Sequence, residues 1–206
     1  KEGNIIPPPI TSGSNRLRPG TRIVVDRNGD GAITNDDIYY AGDAAPHYLF
    51  GFKTRMEWKG IDLQAFFQGV WKQTVMRSGY FAYPWATHYM LLNRSFYGKT
   101  WSEDNPNTEY AVASRNADFK SWNYINKDVL IQDSRYVRLK TLVVGYSLPQ
   151  SVIKKASIEK VRVYFSGDDL WEATKIKDGY DPEHGESSNN TFPFSRLISV
   201  GVDITF

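Results

Sequence analysis

The feature that most constrains this chain is a strict two-residue alternation that sets in at Tyr48. Tyr48, Phe50, Phe52, Thr54, Met56 and Trp58 fall on one side, and Gly51, Lys53, Arg55 and Glu57, with Leu49, on the other. Successive side chains of a strand point to opposite faces, so a period of two over this length predicts β-structure. Lys59-Gly60 interrupts the pattern. Ile61, Leu63, Ala65 and Phe67 then share a face opposite Asp62, Gln64 and Gln68, which predicts a hairpin. The alternation returns three times. Val137, Leu139, Thr141 and Val143 stand against Arg138, Lys140 and Leu142; Val161, Val163 and Phe165 stand against Arg162, Tyr164 and Ser166. Last, Arg196, Ile198, Val200, Val202, Ile204 and Phe206 stand against Ser195, Ser199, Gly201, Asp203 and Thr205.

The fold class expected is therefore all-β, with about five long strands over residues 47–206. Short links (Lys59-Gly60, and a helical turn or two over 150–156) alternate with long connections over 71–133 and 171–193. A short helix is expected over 87–96. Residues 1–46, rich in Pro, Gly, Asn and Asp, read as a separate loop region, with Pro7-Pro8-Pro9 and Pro19-Gly20 as breakers. Two architectures share this pattern. A transmembrane barrel has short turns at one end and long loops at the other. A secreted β-sandwich also has one buried and one solvated face per sheet. Strand length and the aromatics at strand ends, Tyr48, Trp58, Tyr146 and Phe206, suit the barrel, whose strands need ~9–11 residues and carry aromatic girdles. Five strands do not close a barrel, so that architecture requires more strands upstream of Lys1.

Composition narrows the function classes. Lys plus Arg number 25 and Asp plus Glu 23, a formal net charge of +2, so no strong field selects nucleic acid. There is no cysteine, which removes disulfides, thiolate metal sites and a thiol nucleophile. The mean hydropathy of −0.48 and the lack of a ~20-residue apolar run exclude a membrane helix, but alternating barrel strands average out as polar. Lys1-Glu2-Gly3 shows neither an initiator Met nor a targeting pattern, as expected of a piece of a longer chain.

Several short motifs follow in order. They begin with Val25-Asp26-Arg27-Asn28-Gly29-Asp30-Gly31-Ala32-Ile33, then Phe50-Gly51-Phe52, Trp58-Lys59-Gly60-Ile61-Asp62-Leu63 and Phe66-Phe67-Gln68-Gly69. Trp101 with Asn105-Pro106-Asn107-Thr108 comes next, then Ser134-Arg135-Tyr136-Val137-Arg138-Leu139-Lys140 and Gly145-Tyr146-Ser147-Leu148-Pro149. Val161-Arg162-Val163-Tyr164, Ser166-Gly167 and Gly179-Tyr180-Asp181-Pro182-Glu183 complete the set. In this order, from about Pro19 to Phe206, the chain resembles the C-terminal end of the SusC/RagA family of TonB-linked outer-membrane transporters of Bacteroidetes. The resemblance implies a large antiparallel barrel in the bacterial outer membrane, in contact with lipid and lipopolysaccharide. It implies an N-terminal plug that meets TonB, neither of them in this sequence, and a SusD-like surface lipoprotein capping the barrel. It implies import of oligosaccharides or peptides. It also places Phe206 at the periplasmic side, which puts residues 1–46 and both long connections outside. The rival from another class is a secreted, calcium-stabilised β-sandwich that binds glycans.

Three groups of residues carry candidate chemistry. Asp26, Asn28 and Asp30 followed by Gly31 reproduce the oxygen-ligand spacing of an EF-hand calcium loop. There the Ala32 carbonyl, Thr34 and Asp37 would complete the set, Asp37 being one methylene shorter than the usual Glu. The competing reading is a metal-free turn held by Asx hydrogen bonds. Second, the aromatics Tyr80, Phe81, Tyr83, Trp85 and Trp101, with Tyr180, are candidates for stacking on a solute or a partner; the bland reading is a loop that packs on itself. Third, in a barrel Lys53, Arg55, Glu57, Asp62, Arg138, Lys140 and Arg162 would face the lumen. Phe50, Phe52, Met56, Leu63, Phe67, Val163, Val200 and Ile204 would then face lipid. For the charges, mutual pairing is the bland reading and lining the solute path the functional one. Catalysis finds no support. His47, His88 and His184 are scattered, no nucleotide-binding or hydrolase motif occurs, and nothing singles out a pair of carboxylates. Asp181-Pro182-Glu183 reads as a loop turn.

Overall fold

The computed structural model describes residues 4–6, 19–79, 82–84, 94–114, 117–124, 128–154, 158–177, 181–184 and 195–206. They fall into two compact units, a sheet and a loop body.

The sheet is a five-stranded antiparallel meander. Its strands are β3 (His47–Trp58), β4 (Ile61–Lys72), β7 (Tyr136–Ser147), β8 (Lys160–Thr174) and β9 (Leu197–Thr205), 12, 12, 12, 15 and 9 residues long. All five meet the ~9–11 residues that a tilted strand needs to cross a bilayer, β9 at the lower bound. Lys59 and Gly60 close the first hairpin with φ of 47° and 86°. Positive φ at both turn positions matches the right-handed twist of the strands, which is why a two-residue link works here. At the other short link, one helical turn, α2 (Gln150–Ile153), follows Pro149.

Register fixes which side chains share a face. Phe52 lies opposite Phe67, Met56 opposite Leu63 and Trp58 opposite Ile61. Ile61 lies opposite Tyr146, Tyr146 opposite Val163, and Val163 opposite Val202. The eight residues expected to face lipid all lie on this one face. It is exposed: Phe52 is 60%, Met56 61% and Val200 74% accessible. A layer of such side chains left open to water is costly, and a sandwich would bury it under a second sheet. Trp58, Tyr146 and Phe206 gather toward the turn end of this face, all exposed, and Trp71 and Trp171 lie toward the other end.

Two expectations are corrected. Thr141 and Val143 do not share a face with Val137 and Leu139. The register shifts between Leu139 and Thr141, so Lys140 is a bulge residue, and beyond it Leu142 and Val144 take over the apolar face. A bulge inserts one residue and reverses the alternation after it. The long connections are also shorter than expected. β4 runs through Trp71 and Lys72, and β8 runs through Trp171 to Thr174. In the first connection β5 (Thr74–Met76) and β6 (Ile131–Asp133) pair as a small ribbon.

The loop body has its own core. Phe96, Tyr110, Ala111 and Tyr124 are buried together, with Tyr83 and Val129 against them. The Phe96 and Tyr110 ring centroids are 4.6 Å apart, and Phe96 meets Tyr124 edge-on, within the range where ring pairs attract. Helix α1 (Ala117–Tyr124) supplies Phe119 and Asn123, four residues apart and both buried. Its residue Tyr124 donates its hydroxyl to the Ala111 carbonyl at 2.7 Å, and burial pushes its phenol above the ordinary tyrosine range. The Asn123 side-chain oxygen accepts from the Arg22 amide at 2.9 Å, and the Trp122 indole donates to the Arg22 carbonyl at 2.8 Å. These two bonds tie the N-terminal stretch to α1. Strand β1 (Asn4–Ile6) pairs with β2 (Val24–Asp26), a ribbon not expected from the sequence. Of the helix expected over 87–96, Arg94–Phe96 forms a single 3-10 turn and residues 87–93 lie outside the described residues.

Candidate functional site: the polar face of the sheet and the acidic loop

The seven charged residues expected on the lumen side all lie on the face opposite the apolar one. Lys53, Arg55, Glu57, Asp62, Arg138 and Arg162 take it by register. Lys140, two residues on from Arg138, shares its side and bonds Glu183, which also pairs with Arg138.

On this face the charges form three groups that differ in how far they are satisfied. Toward the Lys59-Gly60 turn, Arg162 makes a two-pronged bond to Asp62, Nε to Oδ1 at 2.8 Å and Nη2 to Oδ2 at 2.6 Å. Its third nitrogen reaches Asp203 Oδ2 at 3.0 Å. Asp62 is on β4 and Arg162 on β8, so the pair bridges β7, and it does so over Gly145. A Cβ on Gly145 would collide with the Asp62 carboxylate and the Arg162 guanidinium. The missing side chain is the space that the ion pair occupies. Arg162 also lies 5.0 Å from the Tyr164 ring centroid, within cation–π range.

Toward the opposite end from the Lys59-Gly60 turn, Arg138 is 1% exposed and meets three carboxylates. It donates to Glu172 from Nε at 2.7 Å and also from Nη2, to Asp181 Oδ1 at 2.7 Å, and lies 2.9 Å from Glu183 Oε2. Lys140 lies 2.9 Å from Asp169 and 3.1 Å from Glu183. A buried guanidinium is tolerated only when its fork of donors is filled, and here Glu172 from the neighbouring strand and two acids from the β8–β9 connection fill it. On β3 at the same end, Arg55 pairs along its own strand with Glu57 at 2.6 Å, and both are well exposed. Lys53 is exposed as well. A recess of about 460 Å³ opens at this end, its wall including Arg55, Glu57, Lys160 and the Asp62–Arg162 pair.

The counter-charges Glu172, Asp181, Glu183, Asp169 and Asp203 were not singled out by sequence reasoning. Asp203 was legible from the β9 alternation. Asp181 and Glu183 were recognised as a turn, and nothing in their spacing reveals the strand cations that they meet.

The acidic loop 26–37 in the loop body is built on backbone amides. Asp26, wholly buried, accepts from the Gly29 and Gly31 amides at 2.7 and 2.9 Å. Asp37, also buried, accepts from the Arg27 and Thr34 amides at 2.7 and 2.8 Å. The Thr34 and Arg27 amides hold the Asp37 carboxyl below the usual carboxylate range, against the opposing pull of burial. Thr34 caps a 3-10 turn over Asn35–Asp37 by accepting from the Asp36 amide. Asp30 accepts from the Ala32 amide and from the Asn28 side chain, both on the exposed side. The donor set is the hard-oxygen set that suits calcium. Among the described residues, however, no three acidic or histidine side chains converge closely enough to hold a metal ion.

Of the aromatic candidates, Tyr80, Phe81, Trp85 and Tyr180 lie outside the described residues. Tyr83 and Trp101 are half-buried within the loop body. Tyr83 stacks edge-on with Tyr124 and lies under the Lys120 ammonium, and the Trp101 ring fills the space beside Gly20. Both rings serve the loop's own packing.

No family model matches the chain. It is similar over most of its length to two proteins of Formosa agariphila. One is TonB-dependent receptor P26, 26% identical over 202 residues, covering 88% of this chain and 19% of the relative. The other is TonB-dependent receptor P3, 28% identical over 206 residues, covering 91% and 19%. TonB-dependent receptor SusC of Bacteroides thetaiotaomicron is 24% identical over 194 residues, covering 92% and 18%. Among solved structures, the RagAB peptide transporter superposes with a TM-score of 0.65 at 26% identity, over 85% of this chain and 19% of that one. The "closed-closed" state of the RagAB peptide importer, at 23% identity and a TM-score of 0.65 over 98% of this chain, shares the fold. The chain thus spans about a fifth of the length of its relatives. The resemblance to SusC/RagA-type transporters drawn from the motifs holds across the chain. These relatives are receptors and importers, which fits a chain without catalysis of its own.

Proposed function

From this relationship to TonB-dependent receptors we propose that the chain supplies the last five strands of a transmembrane barrel in an outer-membrane importer. The observation that carries the reading is the division of the sheet, with a continuous exposed apolar face on one side and every charged strand residue named above on the other. In a membrane the apolar face meets lipid and the charged face lines the interior. The outer edges of β3 and β9 are unpaired among the described residues. Bare edges of 12 and 9 residues invite aggregation, and strands from the rest of the barrel pair with them. Energy comes from TonB through a plug outside this sequence. A SusD-like surface lipoprotein caps the rim, and the solute is an oligosaccharide or a peptide. Residues 75–132 and the β8–β9 connection then lie on the cell exterior.

The test is accessibility. Asp104, exposed in the loop body, is replaced by cysteine in the full-length protein. A membrane-impermeant maleimide labels it on intact cells if the orientation is right, and labelling only after the outer membrane is opened overturns it. Deleting the gene and comparing growth on oligosaccharides with growth on peptides separates the two solute classes. Purification in mild detergent checks for the lipoprotein.

The acidic loop takes calcium in this reading. Asp26 and Asp37 are already fixed by amides, and Asp30 and Asn28 are exposed and can turn inward to join them, with the Ala32 carbonyl and Thr34 completing an oxygen cage. Calcium there would act structurally, by neutralising adjacent carboxylates. Terbium luminescence titrated against calcium on the full-length protein checks this. A signal lost in Asp30→Ala supports the site, and one that survives it assigns the ion elsewhere.

A further inference from the structure

Arg138 and Lys140 of the Ser134–Lys140 motif meet Asp181 and Glu183, each 43 residues on, in ion pairs. We propose that they are the two halves of an ionic latch that holds the turn over residues 181–184 against the polar face of the sheet. The wall half is Arg138 and Lys140; the loop half is Asp181 and Glu183, set on a 3-10 turn over Pro182–His184.

Four features make this a built device. Arg138 is buried, so its pairs are little screened by salt. Pro182 is fully buried between the two acids and anchors the turn by packing. Asp181 Oδ1 also accepts from the Glu183 amide at 2.9 Å, so the turn sets the aim of its own carboxylates. Lys140, two residues on from Arg138, sets a second cation on the same face, at the bulge where the strand's alternation then reverses. The strand acids Glu172 and Asp169 hold Arg138 and Lys140 in place from β8, independently of the loop. When the loop half leaves, each cation therefore keeps one partner. That is the property of a contact that opens reversibly, since an unpaired buried charge would forbid it.

The latch is read from geometry within the sheet unit. Its place at the outer mouth of a solute path rests on the function proposed above. In that setting the latched segment narrows the interior, and opening it admits a larger solute.

The experiment uses the full-length protein in whole cells. The double variant D181N/E183Q removes the loop charges and keeps their shapes and the β-strand residues. Trypsin has exposed sites at Lys175 and Lys177, just before the latch. Proteolysis of a transiently opened segment tracks the open population, so cleavage there should rise by about tenfold or more. The heat-induced gel shift diagnostic of a folded barrel should stay unchanged. Arg138→Met should give the same cleavage but weaken the barrel as well, because it strands Glu172. Cleavage unchanged in the double variant overturns the latch, as does loss of the gel shift in it, which would make the cluster part of the barrel wall. A rise seen only after the outer membrane is opened supports the latch while sinking the exterior placement of the loop, so the two readings fail separately.

Discussion

The sheet and the loop body solve opposite problems with the same side chains. In the sheet, Phe52, Met56, Val200 and Val202 point away from the protein and the charged groups gather on the other face. In the loop body Phe96, Tyr110 and Tyr124 point inward and pack on one another, as in any water-soluble domain. Residue type does not distinguish the regions, because both are rich in aromatics. What distinguishes them is where the apolar atoms go, and that reports the solvent each region is built for. The loop body is stabilised by the removal of apolar surface from water. The sheet leaves that surface open on one face, as the lipid contact proposed above requires.

The largest expected effect tests whether the loop body is independent. Phe96 is fully buried, and Phe96→Ala should cost the loop body about 3–5 kcal/mol. Hydrogen exchange should show faster opening across 94–130 with the sheet amides unchanged. Equal loss of protection in both regions would merge them into one cooperative unit and break the comparison.

The second tests the sheet's solvent. Val200 is exposed at mid-strand on the apolar face, and Ser199 beside it points to the polar face. Arg at Val200 should cost about 2–4 kcal/mol of folding into vesicles, and Arg at Ser199 much less. Urea titration of both variants measures the difference, and equal penalties would mean that the apolar face does not meet lipid.

A smaller effect sharpens the account of the polar face. Gly145→Val places carbon where the Asp62–Arg162 pair passes, an overpacking of about 1–3 kcal/mol. In an Asp62→Ala background the penalty should shrink, because the two sites share one space. Additive penalties would show that the ion pair does not need the gap.

Much of the sheet was legible in the sequence, because a half-buried strand writes its register as a period of two. The failure at β7 is instructive. Val137 and Leu139 set one phase, while Leu142, Val144 and Tyr146 set the other, three residues on. With Val143 also apolar, Thr141 to Val144 carries no phase of its own, so the reversal at Lys140 stayed hidden. The loop body was less legible. Its core joins Phe96, Tyr110 and Tyr124, which are 14 residues apart at each step, and neither strand nor helix periodicity connects them. The charges of the polar face were found by alternation, but the partners Asp181 and Glu183 come from a turn, where no period applies. The acidic loop shows the converse. Its spacing was plain, and the structure adds that amides already hold Asp26 and Asp37.

That last point supports the smallest and most local prediction. Asp37 titrates below an ordinary carboxylate because the Thr34 and Arg27 amides bond its charged form. A group whose folded pKa is depressed contributes stability above its unfolded value, ~3.9 for Asp, and loses it as pH falls through the folded value. Acid should therefore loosen residues 26–37 while leaving the aromatic core of the loop body in place, since Tyr124 titrates only in the alkaline range. Hydrogen exchange at pH 5 and pH 3, corrected for intrinsic rates, should show the Arg27 and Thr34 amides losing protection at the lower pH. In Asp37→Asn, which keeps one acceptor oxygen but cannot ionise, those amides should be less protected at pH 5 and indifferent to the change. If wild type and variant respond alike, the loop is held by its glycine turns and the Thr34 cap rather than by the charge on Asp37. Calcium would then have no preformed anionic pair to join.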